Sequence, residues 1–318
     1  LGGLTGWLDW EIRMGLHWDD MRVFLAAARA ESLSGAGRVL RVDAATVGRR
    51  IARLEFTVGA ALFVKSPQGY ALTDTGQRLL EHAERAEQSM VAGIEAVAGQ
   101  AGELSGQIRI GAPDGAANFL LPQVCAQITA ENPDLEVQIV ALPRVFNLSK
   151  READMAIGVS PPSAGRLTVQ KISDYKLHLA ASEHYLAQHP PIQTISDLKT
   201  HRMVGYIPDL IFDKELDYLG EIGISRAQLA SNSVSVQFNW VRQGGGIGVM
   251  HDFALPAGQG MRRILIEDLS LTRAFYLIRH ADDRRLERLH RFAVALTEGL
   301  RREVARLEAE VAGQPAFS

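Results

Sequence analysis

Cysteine is nearly absent: the 318-residue chain carries Cys125 alone. One thiol excludes an internal disulfide framework and a cysteine-built zinc cluster, and it fits a reducing cytoplasm. Cys125 stands in an apolar helical pattern and is expected as a small buried hydrophobe. No apolar run nears the roughly 20 residues that a membrane span needs, so no membrane partner is expected. A basic excess is missing too, since 34 Lys and Arg face 37 Asp and Glu, for a net charge of -3. Any nucleic-acid binding therefore has to be local. Catalytic signatures are also lacking: there is no Gly-x-Ser-x-Gly, no His-Glu-x-x-His and no P-loop. Gly244-Gly245-Gly246 follows a helical pattern and opens a strand, the reverse of a nucleotide loop, and is expected as a helix C-cap and turn. His251-Asp252 beside it has no nucleophile within reach. No enzymatic activity, cofactor or metal is expected.

What the chain does have is length for two or three domains and a 47% hydrophobic composition that can build a core. Basic charge is concentrated between 38 and 53, where Arg38, Arg41, Arg49, Arg50 and Arg53 face only Asp43. Two helical patterns lie here. The first sets Ala36, Val39 and Leu40 on one face; the second sets Val47, Ile51 and Leu54 at i, i+4, i+7. Ser34 and Asp43 are placed to cap them, and only a tight turn separates them. This is the layout of a helix-turn-helix whose second helix enters the DNA major groove. Thr46, Arg49 and Arg50 are its base-reading candidates. Arg53 and Lys65 are its phosphate candidates.

From 34 to 76 the chain resembles the LysR-type transcriptional regulators. Ser34, Ala36, Val47, Arg49, Ile51, Leu54-Glu55, Gly59, Leu62-Phe63, Leu72-Thr73 and Gly76 match the family's winged helix-turn-helix at fixed spacing, and the close match covers 18–76. The glutamine common at the recognition helix is Ala44 here, the usual serine is Gly48, and the usual wing arginine is Lys65. The operator sequence therefore does not carry over. Residues 1–13 precede the family-like start and are expected as an upstream extension, with the natural beginning at Met14 and the DNA-binding domain at 14–76.

A single helix is expected over 77–98. Leu79, Ala83, Ala86, Met90, Ile94 and Val97 form a seam at about 3.5 residues per turn, the coiled-coil period. The resemblance implies that this seam dimerises, which suits a pseudo-palindromic operator in double-stranded DNA. Gly99–Gly106 reads as a hinge. Beyond it, strands are expected at 107–111, 135–142, 154–158, 167–172, 176–181, 203–206, 227–231, 247–250 and 272–279. Helices are expected at 116–131, 183–189, 212–219, 234–243 and 282–311. That alternation is an α/β arrangement on mainly parallel sheets.

The resemblance sharpens this into two Rossmann-like lobes of periplasmic-binding-protein type over 107–318. Lobe I would be about 107–173 plus 273–300, and lobe II about 174–272. A small-molecule effector would sit between them. The loop Ala112–Asn118 enters a helix N-terminus, an anion-favouring place where relatives often have a hydroxyl. Here Asp114 would oppose a carboxylate ligand and favour an amine, an alcohol or a neutral polar one, unless it merely caps its own helix. Gly115, Ala116 and Asn118 share that loop. Gly205, Tyr206, Pro208, Asn232 and Ser233 are expected across the cleft, with Phe146, Asn147 and Ser149 closing the near side. The implied partners are DNA, the effector, further copies of the chain (a dimer, then a tetramer) and RNA polymerase. The competing reading is a cytoplasmic enzyme or binding protein whose helical head only dimerises.

Overall fold

The computed structural model describes residues 17–66, 69–98, 104–141, 153–162, 166–224, 226–281, 283 and 286–313. The upstream extension 1–13, the first part of the hinge, and Phe146, Asn147 and Ser149 lie outside the described residues. Contacts divide the chain into two compact units, Leu1–Gln100 and Ala101–Ser318.

The first unit runs α1 (Trp18–Ala30), α2 (Leu33–Leu40), α3 (Ala44–Val58), β1 (Phe63–Ser66), β2 (Gly69–Leu72) and α4 (Asp74–Ala98). Its core takes Val23, Phe24 and Ala27 from α1, Ala36 from α2, and Val47, Ile51 and Leu54 from α3. The i, i+4, i+7 stripe on α3 is thus the buried one. Asp43 caps α3 by accepting from Thr46 N at 2.7 Å. The cap of α2 is Ser32, which accepts from Gly35 N at 3.2 Å, so Ser34 lies inside the helix and is exposed. Gly59 closes α3 at φ 72°, a left-handed cap that side chains resist. β1 and β2 form an antiparallel hairpin, the wing.

Within the second unit one mixed sheet runs in the order β4 (Leu135–Ala141), β3 (Gly106–Ala112), β5 (Met155–Gly158), β11 (Leu271–His280), β6 (Leu167–Ser182), β9 (Ile247–His251), β7 (Met203–Gly205), β8 (Leu229–Ala230). β10 (Met261–Arg263) pairs with β6. Pairing is parallel at both ends, β4/β3/β5 and β9/β7/β8. The long strands β6 and β11 join these ends antiparallel. Two strands, 167–172 and 176–181, were expected where β6 runs. It is one strand, and its register with β11 shifts at Phe275/Tyr276, where the pair passes from one lobe to the other.

The helices are α5 (Asp114–Phe119), α6 (Leu121–Glu131), α7 (Glu183–Gln188), α8 (Val234–Arg242) and α9 (Glu287–Ala312). The expected helix 116–131 is broken at Leu120, whose φ/ψ of -123°/-51° leaves the helical region just before Pro122. The expected helix 212–219 is instead a run of short 3-10 turns, Pro208–Leu210, Lys214–Leu216 and Gly220–Ile222, punctuated by Pro208, by the Asp213 cap and by Gly220 and Gly223. α9 packs on α6 of lobe I and on β6 and the turn Asp252–Ala257 of lobe II. Arg301 donates to the carbonyls of Ile172 (2.7 Å) and Lys171 (3.2 Å) at the crossing. Further along α9, Glu308 accepts from Lys176 N at 2.7 Å. Buried Asp252 accepts from His178 Nδ1 at 2.8 Å and pairs with Arg263 at 3.3 Å. Arg263 also reaches Val311 O at 2.9 Å, near the end of α9.

Candidate nucleic-acid interface and ligand cleft

The family-like motifs have local physical causes. Glu55 turns its carboxylate to the chain entering the wing, where Oε1 accepts from Leu62 N at 2.7 Å and Phe63 N at 3.2 Å. Thr73 ties the wing's exit to the same place: its hydroxyl donates to Ala61 O at 2.8 Å and accepts from Gly76 N at 3.0 Å. Gly76 lies so close that a Cβ there would stand 2.1 Å from Leu62 O. The Leu-Thr-x-x-Gly spacing therefore fixes the wing onto the start of α4.

On α3 the arginines differ in freedom. Arg49 is exposed, and its guanidinium donates to Thr46 Oγ1 at 2.7 Å. That hydroxyl donates in turn to Asp43 Oδ2 at 2.7 Å, so cap, threonine and arginine form one chain along the front of the helix. Arg50 pairs with Asp19 of α1. Arg53 pairs with Asp20, itself only 1% exposed. Its guanidinium is thus engaged in holding α3 against α1, where sequence had offered it to phosphate. Lys65 sits on β1 opposite Tyr70.

The seam of α4 divides. Ala83 is buried in the core of its own head, with Leu79 packed against it, so these two are covered without a partner chain. Arg29 of α1 grips Glu87 through two hydrogen bonds, 3.1 and 2.6 Å. Ala86 is half-buried. Met90 is 56% exposed. It lines an open groove of about 460 Å³ with Trp18, Met21, Leu25 and Ala83. The side chains of Ile94 and Val97 lie outside the described ones.

In the second unit, Asp114 does not cap its own helix: it is the first residue of α5, and the cap position is Pro113. Its carboxylate reaches the start of α8, far along the chain. Oδ2 accepts from Ser235 N at 2.8 Å, Ser235 Oγ at 3.0 Å and Ser233 Oγ at 3.1 Å, at the N-terminus of α8. Asn118 steadies it from behind, donating to Asp114 O at 2.8 Å and Oδ1 at 3.2 Å. Ser233 also caps α8 by accepting from Val236 N.

Beside this contact the cleft is a cavity of about 20 Å³, lined by Asp114, Gly115, Ala116, Tyr206 and Asn232 from the expected set. Tyr175, Phe212, His251 and Phe275 also line it, together with Pro113, Val159, Leu216 and Val234. Burial pushes the phenols of Tyr175, Tyr206 and Tyr218 up. Burial also drives the His251 imidazole down to about 4, against the opposing pull of Asp252 and Asp114, so it is neutral near pH 7. His251 is 5% exposed, and its Nδ1 has no hydrogen-bond partner among the described residues. Gly205 and Pro208 line a larger cavity of about 570 Å³ under the 3-10 turns of lobe II, which shares Tyr206, Phe212 and Leu216 with the cleft. The aromatic walls were missed because Tyr175, His251 and Phe275 sit in strands far apart in sequence. Ser235 was also missed, although the serine-rich run Ser231-Asn232-Ser233-Val234-Ser235 at a helix start is the signal that could have found it.

Among the described residues no group of three or more His, Cys, Asp and Glu is placed to hold a metal, and no helix is long and apolar enough to cross a membrane. Residues 18–77 match the model of the bacterial regulatory helix-turn-helix proteins of the lysR family, and residues 101–301 match the LysR substrate binding domain. The regulator PtxR of Pseudomonas aeruginosa is 24% identical over 75% of this chain and 77% of its own. The activator TtdR of Escherichia coli K12 is 26% identical over 72% and 75%. Full-length OxyR from Pseudomonas aeruginosa shares the fold with a TM-score of 0.67 at 17% identity, covering 90% of this chain and 95% of that one. LysG from Corynebacterium glutamicum, solved with its effector arginine bound, gives 0.59 at 17% identity, covering 92% and 99%. Two family models that together span the head and the sheet unit set aside an enzyme with a helical dimerisation head: the chain belongs to the LysR family of transcriptional regulators, with a DNA-binding head and an effector-binding domain.

Proposed function

We propose that the chain regulates transcription from pseudo-palindromic double-stranded DNA as a symmetric dimer that pairs into a tetramer, in the cytoplasm and in contact with RNA polymerase. The carrying observation is the open front of α3. Arg49 is exposed there, backed by Thr46 and Asp43 and flanked by the small residues Ala45 and Gly48, so the helix can sit deep in a major groove. Arg49 is the base reader. Arg50, held by Asp19, and Lys65 on the wing supply backbone contacts, and Ser34 on exposed α2 faces the same duplex. The groove at Trp18, Met21 and Met90 supports the dimer, because a solvent-facing methionine beside a tryptophan is an apolar surface of the kind a partner helix covers. The effector acts at the cleft between the lobes.

The test is a binding titration of the full chain against an operator library at several salt concentrations. Arg49→Ala should relax preference at one base pair per half-site, a loss of roughly 1–3 kcal/mol of discrimination. An unchanged preferred sequence would remove α3 as the reader. Met90→Glu should halve the mass seen by light scattering and weaken operator binding with it.

A further inference from the structure

The anion seat of the cleft is already filled by the chain itself. α8 is a nine-residue helix whose N-terminal N–H groups and dipole favour a negative group. Asp114 brings that group from the opposite lobe, and three donors of Ser233 and Ser235 converge on one of its oxygens. A ligand carboxylate using these donors would have to stand where the Asp114 carboxylate stands. The space left beside it, about 20 Å³, is room for about one water. Its walls are the rings of Tyr175, Tyr206, Phe212 and Phe275. His251, 5% exposed, faces the same cavity with Nδ1 unpartnered among the described residues. Among the described residues that line the cavity, none carries a cationic side chain to receive a second anion.

We propose that Asp114 is a tethered carboxylate that occupies the anion seat at α8, draws the two lobes together without an effector, and makes the cleft reject carboxylate ligands. The proposal rests on reading the cleft as the effector site. Asp114 is then a specificity-determining residue. A hydroxyl at this position would leave the α8 donors open to a free acid, whereas Asp114 satisfies them internally and repels a second negative charge at contact distance. The same three hydrogen bonds link loop 112–118 to α8, so filling the seat and closing the lobes are one event.

The experiment is chemical rescue in the full-length protein. The unfolding midpoint is followed in rising sodium acetate against sodium chloride of equal ionic strength and pH. Wild-type protein should gain nothing from acetate over chloride. Asp114→Ala should melt lower and recover by a few degrees in a saturable acetate-dependent way, because acetate enters the vacated seat and binds only the folded chain. Asp114→Asn keeps the volume and fills the seat with an amide, so it should melt lower than wild type and ignore acetate. An Asp114→Ala protein indifferent to acetate, or a wild-type protein that responds as strongly as the variant, overturns the proposal. Should Asp114→Ala not fold in chloride, recovery of folded protein by acetate during refolding supports the latch, and its absence overturns it. Operator affinity of Asp114→Ala separates this from the underlying reading. A midpoint that follows acetate while operator binding does not move sustains the tethered carboxylate and removes the cleft as the control site.

Discussion

Arg53 and Asp20 face each other in a two-pronged ion pair, Nε donating to one carboxylate oxygen at 2.6 Å and the terminal nitrogen to the other at 2.5 Å. Half of the arginine side chain is exposed, but the carboxylate is buried, so the pair joins a solvent-facing recognition helix to a core position on α1. The Asp20 hydrogen bond holds the guanidinium above its ordinary value, and it stays charged throughout the working range. Arg53→Ala should therefore lower the head's unfolding midpoint and leave the salt dependence of DNA binding unchanged. Arg50→Ala and Lys65→Ala should each lower that slope by about one unit for every phosphate the side chain no longer neutralises. Equal salt slopes for the Arg53 and Arg50 variants would contradict this division of labour.

Gly76→Ala should destabilise the head strongly. The added methyl would meet Leu62 O at 2.1 Å, a backbone atom that Thr73 N also binds at 2.9 Å. Relief requires moving the wing or the start of α4, a cost of about 1–3 kcal/mol or more for overpacking. Urea unfolding followed by tryptophan fluorescence, with Trp18 as a reporter in the head, reads it. A midpoint within error of wild type would mean that the close approach is absent in solution.

His251 gives a stability that depends on pH. Its folded value is about 4 against an ordinary 6.5, so the unfolded chain binds a proton between these limits that the folded chain does not. Stability should be intact above pH 6.5 and fall as pH drops from 6.5 to 4, by about 3 kcal/mol when complete. His251→Gln should flatten that part of the profile. The groups facing it are Asp114, Asp252, Tyr175 and Tyr218. The measurement is therefore the difference between variant and wild type, which cancels the carboxylates' own titration. An equal slope in both proteins defeats the assignment.

Asp252→Ala should cost about 3–5 kcal/mol, because it strands Arg263, whose side chain is 14% exposed, and leaves buried His178 without its acceptor. Chemical denaturation of the full chain should show the second unit's transition moving to lower urea while operator binding by the folded protein persists. A loss of about 0–1 kcal/mol, the scale of a surface pair, would show that the network is open to water.

The legible parts of the molecule were those set by neighbours in sequence. Val47, Ile51 and Leu54 announced a buried stripe and Asp43 announced a cap, because each acts within a dozen residues, while the wing at Leu72, Thr73 and Gly76 came from the family resemblance. Ser34 was misread for Ser32 since two serines flank the same helix start and only backbone angles choose between them. Leu79 and Ala83 showed that a coiled-coil period states that a stripe is covered, not what covers it. Asp114 was found in its loop and Ser233 was expected across the cleft, but the hydrogen bonds that join Asp114 to Ser233 and Ser235 span 119 and 121 residues, and no local pattern states such a pairing. The single long strand β6 was expected as two, and the break between them falls where its register with β11 shifts at Phe275/Tyr276.

α9 changes what motion the effector domain can perform. It packs on α6 in one lobe, grips the crossing through Arg301, and binds Lys176 and Arg263 in the other. Two strands alone would make a free hinge. A 26-residue helix laid across them as a third member makes a stiff splint. Wide gaping would have to bend that helix or peel it from a lobe, so the soft direction is a small twist or slide beneath it. Relative motion of the two ends of the sheet is then expected as such a twist or slide rather than as an opening and shutting of jaws.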